Sequence, residues 1–315
     1  MSLSRSRAMT AAAMALGLAL SALTGCAVSR SAPKSGKIEV VTSTNVYASI
    51  ARAVGGDAVE VRPVISDPMT NPHLYETSPQ DAAEVADADL VVFNGNGYDR
   101  FVGNVLESAP REGSTIEAFA VAHPELTAGT QHDEINEHFW YDFDTVAGVA
   151  DRIAAELGER RPGQAERFTA NAERFRSEVR GLADRTERIA AQRSGTEVVA
   201  TAPVADYLIE RAGLSDITPP SFVHAVEDGK DAPAAAVARI QDALDGRRAT
   251  ALVYNPQTED PLTKRLRTRA ERLGIPVVEA TETLTPGASY LEWMGGQVDA
   301  LARAEGVSLE SDPGR

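Results

Sequence analysis

Val40-Val41-Thr42-Ser43-Thr44-Asn45-Val46 returns in altered form as Val198-Val199-Ala200-Thr201-Ala202-Pro203-Val204. Each copy joins a short apolar run, the mark of a buried strand, to a helix that ends at glycine. A second echo follows: Val91-Val92-Phe93-Asn94 parallels Leu252-Val253-Tyr254-Asn255, each a strand closing on asparagine at a loop. Around the first copy, Ile38–Val41 reads as a strand, Val46–Val54 as a helix stopped by Gly55-Gly56, and Val59–Ile65 as a second strand. Asp81–Ala88 then reads as a short Ala-rich helix and Leu90–Phe93 as a third strand. Short apolar strands alternating with helices specify an α/β fold with parallel sheets.

Between the two copies the pattern changes. From Thr145 to Arg193 apolar residues recur every three to four positions among Ala, Glu and Arg, interrupted at Arg161-Pro162-Gly163. Gln164–Gln192 alone makes a helix about 40 Å long at about 1.5 Å per residue, enough to join two lobes as a strut. The expected architecture is therefore two similar α/β lobes with parallel sheets, joined by a long helical strut, with a ligand cleft between them. The expected boundaries are a lobe over 37–144, the linking helix over 145–193, a lobe over 194–307 and a tail over 308–315.

The start of the chain has a different character. Arg5 and Arg7 precede an almost wholly apolar stretch, Ala8–Leu23, which ends in Leu23-Thr24-Gly25-Cys26. A positive region, a short apolar core and small residues at its end make an export signal, too short for a spanning helix. The tetrapeptide resembles a bacterial lipobox, which implies a signal peptide over 1–26 and acylation of Cys26. Residues 27–36 read as a flexible Ser/Pro/Lys tether. Cys26 is the only cysteine of the 315 residues, so no disulfide framework is available. A hydrophobic content of 43% supports packed cores, and a net charge of −15 argues against nucleic acid, which needs clustered Lys and Arg.

Two of the five histidines occupy distinctive contexts. Three prolines restrain Asp67-Pro68-Met69-Thr70-Asn71-Pro72-His73-Leu74-Tyr75-Glu76-Thr77-Ser78-Pro79, so His73 projects from a loop after a strand. His138 sits in Asn136-Glu137-His138-Phe139-Trp140-Tyr141-Asp142 at the end of the first lobe. Neutral imidazole is the commonest protein ligand for divalent transition metals. Asn-Pro-His-x-Tyr-Glu at 71–76 and Glu-His-Phe-Trp-Tyr-Asp at 137–142 resemble the metal-binding motifs of cluster A-I solute-binding lipoproteins, the capture subunits of zinc and manganese ABC importers. Asp206-Tyr207-Leu208 and Ser289-Tyr290 extend the resemblance over nearly the whole chain after the tether.

The resemblance implies a metal held by four side chains, two from each lobe. His73 and His138 match the first two, and Glu282 in Ala280-Thr281-Glu282-Thr283 best matches the fourth. The third falls on Ala202, which cannot coordinate. Three explanations stand open: a site of three protein ligands plus water, a geometry zinc accepts; a substitute ligand, with His224 the nearest candidate by lobe; or loss of tight binding. Glu76 and Asp142 are expected to orient the neighbouring histidines or to cap helices. His132 and His123 read as residues of solvated loops. Asn94-Gly95-Asn96-Gly97 reads as a tight turn, since no Gly-Lys-Ser/Thr follows it.

The implied function is capture of Zn2+ or Mn2+ outside the cytoplasm and delivery to an ABC permease, by a monomer lipid-anchored on the outer face of the membrane. The affinity order favours zinc at equal availability. A metalloenzyme is the second class, disfavoured by the lack of a His-Glu-x-x-His motif or a general base outside the ligand set. An adhesin-like or metallochaperone lipoprotein that keeps the fold with weakened metal binding is the third.

Overall fold

A computed structural model describes residues 36–108, 113–227 and 229–309. The export signal with Cys26, the tether up to residue 35, and residues 310–315 lie outside the described residues.

Two four-stranded parallel sheets organise the rest, and they share one strand order. The first, β2-β1-β3-β4, comprises β1 (Ile38–Thr44), β2 (Val59–Ile65), β3 (Leu90–Phe93) and β4 (Ser114–Glu117). The second, β6-β5-β7-β8, comprises β5 (Glu197–Ala200), β6 (Ser215–Asp216), β7 (Leu252–Tyr254) and β8 (Val277–Glu279). The two sequence echoes fall on equivalent positions: β1 and β5 stand second in their sheets, β3 and β7 third. At each of these pairs the chain turns from one side of the sheet to the other. The crevice beyond the carboxyl ends of such strands is where open α/β sheets bind ligands.

A parallel strand covered on both faces must be apolar throughout. All four residues of β3 are buried: Leu90 and Val92 face the main core, while Val91 and Phe93 face a smaller cluster with Val85, Phe101 and Val102. Each such burial contributes about 1.5–3 kcal/mol relative to exposure. The helices that cover the first sheet are α1 (Asn45–Gly55), α2 (Pro79–Asp87), α3 (Arg100–Ser108) and α4 (Ala118–Ala122).

The segment expected as one linking helix is two. α5 (Phe143–Arg160) and α6 (Ala165–Arg193) are separated by a 3-10 turn at Pro162–Gln164, where proline and glycine break the helical ladder. α5 packs on α1 and α4 and so belongs to the first lobe. α6 is the strut: it touches α1 on one side, and α7 (Asp206–Arg211) and α11 (Tyr290–Ala304) on the other. Its buried stripe of Phe168, Ala172, Phe175, Val179, Leu182, Thr186 and Ile189 keeps helical spacing. One hydrophobic core runs along it from Ile38 and Tyr47 to Trp293 and Val298, so the lobes are not separated by solvent. Leu309, the last described residue, packs against this core, and its carbonyl accepts from Arg188 Nη1 at 3.0 Å.

Candidate metal site

Each side chain at the junction of the lobes is fixed by a short backbone device. After β2, Pro72 starts a 3-10 turn whose cap, Asn71, accepts the His73 N–H through its side chain at 2.9 Å. The His73 ring meets the Tyr98 ring edge-on with centroids 4.9 Å apart. His138 is itself the cap of the 3-10 turn Phe139–Tyr141. Asn136 Oδ1 accepts both its N–H at 2.8 Å and its ring Nδ1 at 2.7 Å, which leaves Nε2 for a metal. Asn136 in turn donates to Pro203 O and Asp206 Oδ2, and its carbonyl accepts from Tyr207 Oη. The His138 turn is thus stitched to the second lobe.

Glu282 follows β8 and is 1% exposed. Asn255 Nδ2 donates to its Oε1 at 2.7 Å and Tyr98 Oη to its Oε2 at 3.2 Å, one partner from each lobe. Donor atoms of His73, His138 and Glu282 all lie within 4.8 Å of one another. A tetrahedral ion with ligands at about 2.0–2.2 Å spaces them about 3.3–3.6 Å apart, a spacing inside the 4.8 Å limit that these three donors meet.

The electrostatics suit a cation. Burial, helped by the Arg100 charge, lowers the pKa of His73 to about 4. Burial also holds His138 well below the ordinary histidine value, with His73 adding to the effect. Both rings are therefore neutral and have lone pairs available at pH 7. Burial pushes Glu282 up to about 7 against the opposing pull of its hydrogen bonds from Asn255 and Tyr98. The three groups offer a divalent ion one desolvated carboxyl oxygen and two neutral imidazole nitrogens.

Several expected residues stand elsewhere. Asp142 takes the second of its two expected roles: it caps α5, accepting from the backbone of Asp144 and Thr145 and from Thr145 Oγ1, while Asn136 holds the His138 ring. Glu76 is exposed and does not bond His73. His224 is exposed on α8 (Pro220–Glu227) and joins no donor group, because Phe222, Val223 and Val226 take the inward side of that helix. Ala202 is buried at 3% exposure just ahead of Pro203. His123 pairs with Glu125, and His132 stacks on Phe119. The Asn94–Gly97 turn is closed by Asp99, which accepts the N–H groups of Asn94 and Gly95. Gly95 is required there: its φ is +83° and a Cβ would lie 2.2 Å from Glu117 Oε1.

Sequence reasoning missed two donors. Glu137 and Glu227 form a second group with His138 within 4.8 Å. Glu137 was visible only as part of the His138 motif, and Glu227 depends on how α8 docks.

The family model described as zinc-uptake complex component A, periplasmic, matches residues 40–304. The chain belongs to that family. It is 28% identical over 164 residues to the manganese-binding lipoprotein MntA of Bacillus subtilis (strain 168), covering 51% of this chain and 53% of that one. The chain thus spans about half the length of the curated relatives it first matches. Among solved structures, the periplasmic zinc-binding protein TroA of Treponema pallidum superposes with a TM-score of 0.71 at 17% identity, covering 86% of this chain and 99% of that one. The laminin-binding protein Lmb of Streptococcus agalactiae, described as a bifunctional adhesin and metal transporter, gives 0.70 at 22%, covering 85% and 99%. These likenesses show the two-lobed fold, and the family is one of binding proteins, not enzymes.

Proposed function

We propose that this protein captures one divalent transition metal outside the cytoplasm, through His73, His138 and Glu282, and passes it to an ABC permease. The observation that carries the reading is the convergence of two neutral imidazoles and one buried carboxylate, from both lobes, within 4.8 Å. Family membership supports the transport role. Zn2+ is the preferred cargo at equal availability, with Mn2+ second, because imidazole nitrogen favours zinc. Cys26 carries the lipid anchor and the chain acts as a monomer. The adhesin-like alternative, with weakened metal binding, draws on Ala202 standing at the third ligand position.

Metal analysis of protein purified from a medium containing zinc, manganese and iron, followed by titration of the stripped chain, tests the reading. One Zn2+ per chain, bound reversibly with thermal stabilisation, is expected. Stoichiometric folding without affinity for any of the three ions favours the adhesin-like alternative. Cys26→Ala should move the protein out of the detergent-extractable membrane fraction, since stable anchoring depends on its acyl chains. Unchanged fractionation contradicts the anchor.

A further inference from the structure

The geometry points to Glu137 as the ligand that takes the place left empty at Ala202, so that His73, Glu137 and His138 come from the first lobe and Glu282 alone from the second. This rests on the metal-binding reading above and specifies its coordination sphere. Glu137 Oε1 lies 4.0 Å from His73 Nε2, and a carboxylate oxygen lies within 4.8 Å of a His138 nitrogen. Glu137 belongs to the donor group of His138 and Glu227 and not to that of His73, His138 and Glu282, so its side chain must swing toward Glu282 to join that sphere; its contact with His73 Nε2 is what sets it apart from Glu227. The Glu137 backbone is pinned, its carbonyl accepting from Asn94 Nδ2 at 2.7 Å and from the Phe139 N–H at 2.8 Å. Its side chain is 22% exposed, as is that of His73, whereas His138 and Glu282 lie at 1%.

Charge balance leads to the same set. Among the described residues, neither Glu137 nor Glu282 forms an ion pair with Lys or Arg; Glu137 lies 4.0 Å from the uncharged His73 ring, and His224 also acts on it electrostatically. A buried carboxylate without a cationic partner, as Glu282 is, is stable when it is protonated or coordinates a metal. Two carboxylates around two neutral imidazoles match the charge of one divalent ion, which three ligands and a water would leave at a net positive charge. The fourth position is filled from the residue next to His138, and neither His224 nor any group at residue 202 is needed.

The test uses the full-length chain, stripped of metal and titrated with Zn2+, and with Co2+ as an optical probe whose visible absorption reports its ligands. Glu137→Gln keeps the shape of the side chain and removes its charge; it should lower Zn2+ affinity about tenfold or more, roughly 1.4 kcal/mol, and alter the Co2+ spectrum. His73→Ala is run beside it as the control for the site itself. Loss in His73→Ala with unchanged affinity in Glu137→Gln overturns the Glu137 assignment and leaves the metal site standing. No loss in either variant overturns both. Lower affinity in Glu137→Gln with an unchanged Co2+ spectrum also overturns the assignment, since the residue then supports the turn without touching the ion. Loss confined to Glu227→Gln overturns it in favour of α8.

Discussion

The two lobes share a strand order and differ in what they present at the junction. At the end of β3, Asn94 bonds the Glu137 carbonyl and so holds the turn that carries His138. At the equivalent end of β7, Asn255 bonds the Glu282 side chain directly. The first lobe offers neutral nitrogens from two restrained turns, and the second offers a buried carboxylate together with Ala202, which offers nothing. A repeated fold thus conserves where loops emerge from the sheets, while the donor chemistry depends on the side chain each loop carries. On the proposed metal-binding reading, the asymmetry makes the first lobe the principal seat for the ion and the second its closing contact.

If the first lobe is the seat, its substitutions should have the largest effects. His138→Ala removes the one residue common to both donor groups and should weaken Zn2+ binding by about 100-fold or more, roughly 2.7 kcal/mol, in competition titrations against a chelator. His73→Ala should follow at about tenfold or more. Comparable affinity in both variants and wild type would remove the seat from this lobe.

The second lobe should reveal itself through pH. A proton on Glu282, whose pKa is pushed up to about 7, must leave before the carboxylate can bind metal. Affinity should therefore fall by about tenfold per pH unit below about 7. The histidines add their own competition only further into acid, with His73 at about 4 and His138 also lowered. Glu282→Gln should cost about tenfold at pH 8 and make the profile between pH 7 and 5 shallower. A wild-type profile that is flat until the histidines titrate would assign the closing contact elsewhere.

The link between the lobes should matter less than the ligands. Asn136→Ala leaves His138 Nδ1 without its acceptor and cuts the ties to Pro203 and Asp206, so affinity should drop a few-fold to about tenfold. The smallest effects are expected where the lobes fail to match: Ala202→His and His224→Ala should each change affinity by less than about threefold. A large gain from Ala202→His would restore the symmetric, open-site picture.

Most of the scaffold was legible because it follows from local pattern. The Val40 and Val198 copies, and the Asn94 and Asn255 strand ends, mark the central strands of both sheets before any contact is known. β6 was not legible: Ser215–Asp216 is two exposed polar residues, ordered only by pairing with β5. Nor was the assignment of α5 to the first lobe, since its helical period says which face is buried and not against what. At the site, His73 and His138 stood out by their contexts and Glu282 came from the family resemblance, while their approach depends on three loops that no spacing rule connects. Asp142 was legible as one of two roles, orienting a histidine or capping a helix, and the geometry of the helix start it occupies directs its carboxylate to Asp144 and Thr145.

A crystal structure of the zinc-loaded protein, with diffraction recorded on both sides of the zinc absorption edge, tests the central claim most directly. The account predicts one anomalous peak at the junction of the lobes, within about 2.0–2.2 Å of nitrogens of His73 and His138 and a carboxylate oxygen of Glu282. A peak at His224, His132 or another surface group, with the junction empty at stoichiometric zinc, would contradict it.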